Sequence, residues 1–287
     1  MDFTMQFIKY HALGNDYLVY AEESTFNLNI EQIQRVCDRH YGLGADGILV
    51  LEERTPAHFK LRIINPDGSD AEKSGNGLRI FSRYLRDRSW VQDAWFEILT
   101  PGGLVGARVS PDGRSVEVRM GRADFAAQAV PISVPAAEAI DWPLQLNGQN
   151  LRINAVSMGN PHCVVFPDEV SSEQARLLGP QLERHALFPR RTNVQLVKVL
   201  DRRNLRIEIW ERGAGYTLSS GTSSCAAAAV SCLRGLSDAD VVVHTAGGRL
   251  RVQIGADWQI VMQGAVQRIG CVSVDAECYA QLDDGRG

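Results

Sequence analysis

Two serines stand immediately before glycine-containing loops, and their type and spacing suggest proton-transfer chemistry. Ser74 precedes Gly75-Asn76-Gly77, Ser220 precedes Gly221-Thr222, and an apolar helical pattern follows each loop. A helix start exposes unpaired backbone N–H groups and a positive dipole end, so each loop could bind a carboxylate. Two hydroxyls facing each other across one α-carbon could invert it, one removing the hydrogen and the other returning it. Each serine could instead only cap its helix.

Other polar residues could hold the rest of an amino-acid substrate. A guanidinium can clamp a carboxylate with two hydrogen bonds, and a carboxylate can accept from an ammonium. The candidates are Asn15, Asn65, Asn160, Asn193, His162, Glu211 and Arg212. Any one of the asparagines could be a turn or cap residue, and the histidine could be a satisfied core or surface residue. The position of all four asparagines beside matching turns favours a shared binding role.

Landmarks in the two halves of the chain recur at a nearly constant offset. Gly14-Asn15 and Gly159-Asn160 lie 145 positions apart, Gly75 and Gly221 lie 146 apart, and a Leu-Val pair recurs after 147. Three landmarks in register indicate an internal duplication. Each half would then supply one glycine-containing helix start to a shared ligand.

Strand patterns dominate the sequence, with a few amphipathic helices between them. Helical spacing is predicted at 30–41, after Gly77, at 172–182 and at 222–233, and 123–150 indicates an irregular connector. We predict an α/β fold of the α+β type with two pseudo-symmetric lobes, each a curved mixed sheet or barrel around a central helix, and a ligand cleft between them. The predicted domains are 1–122, completed by a return strand at about 267–287, and 123–266.

Composition and charge exclude several classes of protein. The 287 residues are 45% hydrophobic and 22% charged, with a formal net charge of −4, so nucleic-acid and membrane partners are not expected. The first fifteen residues lack the apolar core of a signal peptide, no window is apolar enough for a membrane helix, and a cytoplasmic location is expected. Phosphate-loop and Gly-x-Ser-x-Gly motifs are absent from the sequence. The expected ligand is a small molecule.

The six cysteines are scattered along the chain. No Cys-x-x-Cys pair or nearby histidines give metal-ligand spacing, so we predict no metal site. In a reducing compartment such cysteines are usually small buried hydrophobic residues. Cys225, five residues beyond Ser220, is expected to be packed inside its helix rather than to replace that serine.

Six sequence blocks closely resemble the motifs of the diaminopimelate epimerase family. They occur in family order and span nearly the whole chain: HALGND at 11–16, NPDGSDAE at 65–72, GNG at 75–77, MGNPH at 158–162, RTNVQ at 191–195 and ERGAG at 211–215. The resemblance implies two similar lobes, no cofactor and a homodimer. It also implies interconversion of LL- and meso-2,6-diaminopimelate by two-base proton transfer, in lysine and peptidoglycan-precursor synthesis.

The resemblance further implies roles for single residues. The distal amino-acid end of the substrate would be held by Asn65, Asn160, Asn193 and Arg212, and Asn15 is also expected to bind substrate. Glu211 would bind an ammonium and assist one catalytic group, and His162 would assist the other. The reacting carboxylate would be bound by the backbone amides around Gly75, Asn76, Gly221 and Thr222.

One departure from the family pattern affects the catalytic groups themselves. The family has a cysteine before each of the two glycines, where this chain has Ser74 and Ser220. A cysteine thiol has a pKa near 8.5, and a gap of about 5 units to an aliphatic alcohol corresponds to roughly 7 kcal/mol. A rate loss of several orders of magnitude would follow. Further departures are Tyr216, where the family usually has Glu, and Ser223, where a second Gly is usual.

Three explanations of the double serine are open. The thiols of a family epimerase could have been exchanged for serines in the laboratory to trap a substrate. A natural relative could use Ser74 and Ser220, with His162 and Glu211, as a racemase or dehydratase of another amino acid. A binding or regulatory protein could have kept the pocket and lost turnover. The retained His162 and Glu211 argue against a pure binder, and the extra changes argue against a trap, so we predict a cofactor-independent amino-acid epimerase.

Overall fold

The computed structural model describes residues 5–21 and 26–279. The chain divides into two units, unit 1 with the residues up to Val116 and from Val266 onward, and unit 2 with Glu117–Ala265. The division falls inside the strand Ser115–Arg122, whereas the sequence placed the boundary after residue 122. The predicted return strand corresponds to Gln267–Val274, and the part of that prediction beyond 279 lies outside the described residues.

Unit 1 is a mixed sheet with helices packed against it. Its elements are β1 (Met5–Ala12), β2 (Asn15–Tyr20), α1 (Ile30–Cys37), β3 (Ile48–Arg54), β4 (Phe59–Ile64), α2 (Gly75–Asp87), β5 (Phe96–Thr100), β6 (Gly103–Val109), the start of β7 (Ser115–Arg122), and, at the end of the chain, β17 (Gln267–Val274) and α5 (Ala276–Tyr279). The strands pair in the order β17, β1, β2, β3, β4, β5, β6. Pairing is parallel between β2 and β3 and between β4 and β5, and antiparallel elsewhere.

Unit 2 has the same organisation. Its elements are the rest of β7, β8 (Trp142–Leu146), β9 (Gln149–Ser157), β10 (Pro161–Val165), α3 (Ser172–Glu183), β11 (Asn193–Asp201), β12 (Asn204–Glu211), β13 (Gly215–Thr217), α4 (Gly221–Leu233), β14 (Asp240–Thr245), β15 (Gly248–Ile254) and β16 (Gln259–Ala265). The strands pair in the order β8, β9, β10, β11, β12, β14, β15, β16. The parallel pairs are β10 with β11 and β12 with β14.

The two units repeat one pattern of elements, as the sequence offsets predict. In each unit, an antiparallel strand pair is followed by a helix and then by a strand that is parallel to the second strand of the pair. This strand forms an antiparallel hairpin with the next one, and a helix of 13 residues comes after the hairpin. Left-handed turn glycines recur with the same spacing, since Gly14 (φ 88°) and Gly159 (φ 90°) are equivalent, and only glycine adopts this backbone readily. The predicted mixed α/β fold is confirmed. Over the described residues the sheets are open and do not close into barrels.

Side-chain alternation along the strands separates the two faces of each sheet. In unit 1, Leu18 of β2 and Ile48 of β3 belong to the core shared with α1. The residues next to them along each strand therefore point to the opposite face, which carries α2. In unit 2, Cys163 and Val194 belong to the core shared with α3, so the residues on either side of them face α4. Both long helices are largely buried against their sheets. The helix starts are therefore fixed by packing along the whole helix.

Three local predictions differ from the structure. The helix predicted to reach residue 41 ends at Cys37, because Asp38 is extended and its carboxylate accepts hydrogen bonds from the backbone N–H groups of His40 and Tyr41. The predicted connector 123–150 contains β8 and contributes several apolar residues to the core beneath α3. Cys271 is exposed, whereas Cys225 is buried as expected. Among the described residues, no helix is long and apolar enough to cross a membrane.

Candidate functional site

Ser74 and Ser220 are the N-cap residues of α2 and α4 and have nearly the same backbone conformation. Ser74 has φ −136° and ψ 118°, and Ser220 has φ −141° and ψ 127°. The Ser74 hydroxyl accepts from the N–H of Gly77 at 3.0 Å, and the Ser220 hydroxyl accepts from the N–H of Ser223 at 3.5 Å. The capping role that competed with catalysis is thus present at both serines. In each case the hydroxyl oxygen lies at the end of the helix where N–H groups lack intrahelical acceptors.

Tyr17 is a neighbour of Ser74 that the sequence did not single out. Its hydroxyl lies 3.2 Å from Ser74 Oγ, and its side chain projects from β2 toward α2. Gly77 packs closely behind this pair, since a Cβ there would lie 3.3 Å from both Ser74 Oγ and Leu49 Cδ2. The Ser74 hydroxyl is therefore held from two sides, by a phenol and by a backbone amide.

A chain of hydrogen bonds fixes the first turn of α2 to β2. Asn76 donates to Asn15 Oδ1 at 2.9 Å, and Asn15 donates to Asp46 Oδ2 at 2.7 Å. Arg79, whose side chain is completely buried, donates to Asn76 Oδ1 at 2.6 Å and to the carbonyl of Gly75 at 3.3 Å. A buried cation behind a helix start adds to the positive end of the helix dipole. The structure thus brings the predicted residues Asn15, Gly75 and Asn76 together beside Ser74.

Asn65 has a different set of contacts. Its side chain donates to Ser69 Oγ at 3.0 Å, and its backbone N–H donates to the carbonyl of Ser69. Asn65 therefore closes the turn at the end of β4, which is the local role that competed with substrate binding in the sequence. No hydrogen bond of the described residues joins it to Ser74 or Asn76.

In unit 2, Asn160 and His162 form a pair at the start of β10. His162 Nε2 lies 2.9 Å from Asn160 Oδ1, and the imidazole is completely buried on the face of the sheet that carries α4. Burial lowers the pKa of His162 to about 3, the charge of Arg212 acts in the same direction, and a contact with the Gln195 side chain opposes the shift. The ring is therefore neutral at neutral pH, with one N–H and one lone pair.

Asn193 positions the segment that carries Glu211 and Arg212. It donates to the carbonyl of Pro161 at 2.9 Å, and its oxygen accepts from the backbone N–H of Arg212 at 3.0 Å. The buried carboxylate of Glu183 accepts from the N–H of Gly213 at 3.1 Å. One hydrogen-bonded region therefore contains four of the predicted residues, namely Asn160, His162, Asn193 and Arg212. Arg212 lies at its end and is exposed.

Glu211 and Thr222 are each only partly buried. Glu211 ends β12 and pairs with Gly215 across the turn, while Thr222 lies beside Gly221 in the first turn of α4. Both are therefore placed at element ends, where side chains and backbone amides are accessible to a ligand.

The two further departures from the family pattern have clear local partners. Tyr216 donates to Glu208 Oε2 at 2.8 Å and lies beneath the guanidinium of Arg176, 4.3 Å from the ring centre. Burial, followed by the Glu208 hydrogen bond and charge, raises the pKa of Tyr216 to about 12. The Ser223 hydroxyl and the Gln195 side-chain amide form a hydrogen bond of 3.0 Å. Both side chains therefore have defined contacts with other residues of unit 2.

The pKa of His162 predicts a pH dependence of stability. Since the folded-state pKa is about 3 and the unfolded value is about 6.5, the unfolded chain binds a proton that the folded chain does not. We expect His162 to make stability fall as the pH drops from about 6.5 toward 3, by up to about 1.4 kcal/mol per pH unit. The free energy of unfolding, measured with urea at several pH values, should depend less steeply on pH in His162→Gln, and the difference should correspond to about one bound proton. Equal slopes in the two proteins would contradict this assignment.

Sequence comparisons relate the chain to one family over most of its length. The family model described as diaminopimelate epimerase matches residues 7–126 and 154–269. "Diaminopimelate epimerase 2" of Nostoc sp. is 47% identical over 278 residues, which cover 96% of this chain and 98% of that protein. The diaminopimelate epimerase of Moorella thermoacetica is 39% identical, over 87% of this chain and 91% of that protein.

Solved structures share the fold at low sequence identity. A hydroxyproline epimerase from Agrobacterium vitis, with bound trans-4-hydroxy-L-proline, matches with a TM-score of 0.71 at 14% identity, covering 95% of this chain and 93% of that one. A probable proline racemase from Agrobacterium radiobacter matches with a TM-score of 0.70 at 15% identity, covering 96% of this chain and 94% of that one. At such identities the likeness shows the fold alone.

Proposed function

Because the chain belongs to the diaminopimelate epimerase family, we propose that it binds 2,6-diaminopimelate and interconverts the LL and meso isomers. Family membership makes the chain an isomerase of the epimerase type. The observation that supports the proposed reaction best is the duplicated helix start, with a serine hydroxyl at the N-cap of both α2 and α4. In the proposed reaction these two ends would supply two proton-transfer groups and two sets of backbone donors to one carboxylate.

In the proposed reaction only protons move. One serine, as its alkoxide, takes the α-hydrogen as a proton, and the electron pair left on the α-carbon delocalises into the carboxylate. The N–H groups around Gly75, Asn76, Gly221 and Thr222 stabilise the resulting charge. The other serine then gives its hydroxyl proton to the opposite face of the carbon, so that the configuration is inverted and the two serines have exchanged protonation states.

The remaining candidate residues bind the substrate and support the serines in this proposal. Glu211 assists one serine and also accepts from an ammonium of the substrate, while His162 holds Asn160 through its Nε2. The distal amino-acid end is bound by Asn65, Asn160, Asn193 and Arg212. Asn15 supports the carboxylate site through its hydrogen bond with Asn76.

Calorimetry with 2,6-diaminopimelate tests the substrate. We expect binding to the unmodified chain and at least tenfold weaker binding to Arg212→Gln, because a hydrogen bond to a charged group contributes about 1.5–3 kcal/mol. Arg190→Gln is the matched control, since Arg190 is an exposed neighbour whose backbone carbonyl accepts from Arg212. Absence of heat at millimolar ligand, together with binding of a different amino acid, would remove diaminopimelate as the substrate.

We also propose that the protein acts as a homodimer in the cytoplasm. Membership of the diaminopimelate epimerase family, for which the sequence resemblance implies a homodimer, supports this proposal. Light scattering should then give twice the chain mass of 31.6 kDa. A mass of one chain at micromolar concentration would contradict the dimer.

A further inference from the structure

Four polar side chains form a line on the α4 side of the sheet in unit 2. His162 Nε2 lies 2.9 Å from Asn160 Oδ1, and Gln195 Nε2 lies 3.0 Å from Ser223 Oγ. His162, Gln195 and Ser223 are completely buried, whereas Asn160 is partly exposed at the end of the line. The line therefore leads from the first turn of α4 to a residue that a ligand can reach.

The strand register explains why these side chains meet. His162 pairs with Asn193 in the parallel ladder of β10 and β11, so Gln195 is the next residue of β11 on the same face of the sheet. Ser223 lies in the first turn of α4, which packs on that face. In unit 1 the positions equivalent to Gln195 and Ser223 are Leu49, which is apolar, and Gly77, which has no side chain, and these two lie close together. The polar connection from His162 to the first turn of the long helix is thus specific to unit 2.

Among the described residues, two buried atoms in this line have no hydrogen-bond partner of good geometry. They are Nδ1 of His162 and Oε1 of Gln195, although the two side chains are in contact. A neutral imidazole has one N–H and one lone pair. If Nε2 donates to Asn160 Oδ1, the lone pair of Nδ1 faces the lone pairs of the Gln195 oxygen, and this repulsion is removed only when one of the two amides is turned by half a turn.

Turning the Gln195 amide gives both of these atoms a complementary partner. Gln195 Nε2 then donates to His162 Nδ1, and the Ser223 hydroxyl donates to Gln195 Oε1. Turning the Asn160 amide instead leaves Gln195 donating to Ser223, and the Ser223 hydroxyl then needs another acceptor. Among the described residues it has none, and a buried donor without an acceptor costs more than a hydrogen bond contributes. The arrangement with the Gln195 amide turned is therefore the more stable one.

We infer that Ser223 and Gln195 are positioning residues that set the tautomer of His162 and thereby the polarity of Asn160. All hydrogen bonds then run in one direction, from Ser223 to Gln195, to His162 Nδ1, and from His162 Nε2 to Asn160 Oδ1. The oxygen of Asn160 is engaged, so Asn160 presents its Nδ2 donor to the ligand. This end of the site therefore binds a carboxylate and rejects an ammonium. The inference rests on the proposed function only for the identity of the ligand.

Nitrogen-15 NMR of the histidine-labelled protein without ligand tests the tautomer directly. We expect a neutral His162 ring with its proton on Nε2. In Ser223→Ala the donor to Gln195 is lost, and we expect at least a tenfold change in the ratio of the two tautomers toward Nδ1–H. Ser224→Ala is the matched control, because Ser224 is equally buried in the same turn but donates to the carbonyl of Ser220. A proton on Nδ1 in the unmodified protein would overturn the inference even if no variant folds.

Gln195→Glu tests the effect on the ligand. A carboxylate can only accept from His162, so the ring must donate through Nδ1 and Asn160 must turn its oxygen outward. We expect calorimetry with 2,6-diaminopimelate to show at least tenfold weaker binding, and unchanged binding would overturn the inference. If the unmodified chain does not bind diaminopimelate at all, the proposed substrate fails, whereas the tautomer measured by NMR still decides the positioning role.

Discussion

Replacing both serines with cysteine, Ser74→Cys plus Ser220→Cys, should raise the rate of LL-to-meso conversion of 2,6-diaminopimelate by about 10³-fold or more. A thiol has a pKa near 8.5 and lies here at a helix start, which lowers it further. Forming the base thus becomes easier by roughly 7 kcal/mol if the pKa gap is about 5 units. The stronger alkoxide base recovers part of this cost during proton transfer, so the expected gain is smaller than about 10⁵-fold.

Stability should change in the opposite direction to activity. Both hydroxyls accept from a backbone N–H at the helix start, and loss of an N-cap typically costs about 1 kcal/mol. The double variant is expected to unfold at lower urea concentration while converting substrate faster. The single variants should each give little of the gain, since inversion needs a base on each face. A double variant that binds diaminopimelate but converts it no faster would show that the serines do not occupy the positions of the bases.

The second large effect is expected at Arg79, where Arg79→Met should weaken substrate binding and destabilise the fold together. Its guanidinium is completely buried and donates to Asn76 and to the carbonyl of Gly75. An acceptor left unsatisfied costs about 1–3 kcal/mol of the free energy of unfolding. Unit charges one or two helical turns apart interact by about 1.5–3 kcal/mol at an effective dielectric near 20. Binding of diaminopimelate should therefore weaken about 10- to 100-fold.

The matched control for Arg79 lies one turn further along the same helix. Arg83 donates to Asp87 at 2.8 Å and to the carbonyl of Gly113, so Arg83→Met should also lower stability but leave substrate binding unchanged. Arg79→Lys keeps the charge and should keep most of the affinity. If Arg79→Met loses stability but binds diaminopimelate normally, Arg79 supports the fold without contributing to the carboxylate site.

The sequence predicted the elements well where periodicity and turn signals agree. The strand at 59–64, bounded by an Asn-Pro-Asp-Gly turn, has the predicted limits, and the helix predicted at 172–182 extends to Glu183. The duplication predicted that two helix starts would have equivalent hydroxyl residues, and the pairing pattern of the strands repeats accordingly. These features depend on local patterns and on offsets along the chain, which a sequence displays directly.

The polar contacts around the helix starts were not predictable in the same way. Tyr17, Arg79 and Gln195 each occupy positions at core spacing, and only the tertiary structure shows which polar atom they meet. One signal was available for Tyr17, because an offset of 145 makes it equivalent to His162. Asn65 shows the opposite case, since its turn role was visible in the sequence and its side chain indeed bonds within that turn.

The central claim, that this chain moves the α-proton of a bound diaminopimelate with serine hydroxyls, is tested most directly by hydrogen exchange in heavy water. Proton NMR of 2,6-diaminopimelate incubated with the unmodified chain should show loss of the α-hydrogen signal above the rate in buffer. The loss should be abolished in Ser74→Ala plus Ser220→Ala. Binding without any exchange by the unmodified chain would contradict the claim and identify a protein that has kept the pocket but not the reaction.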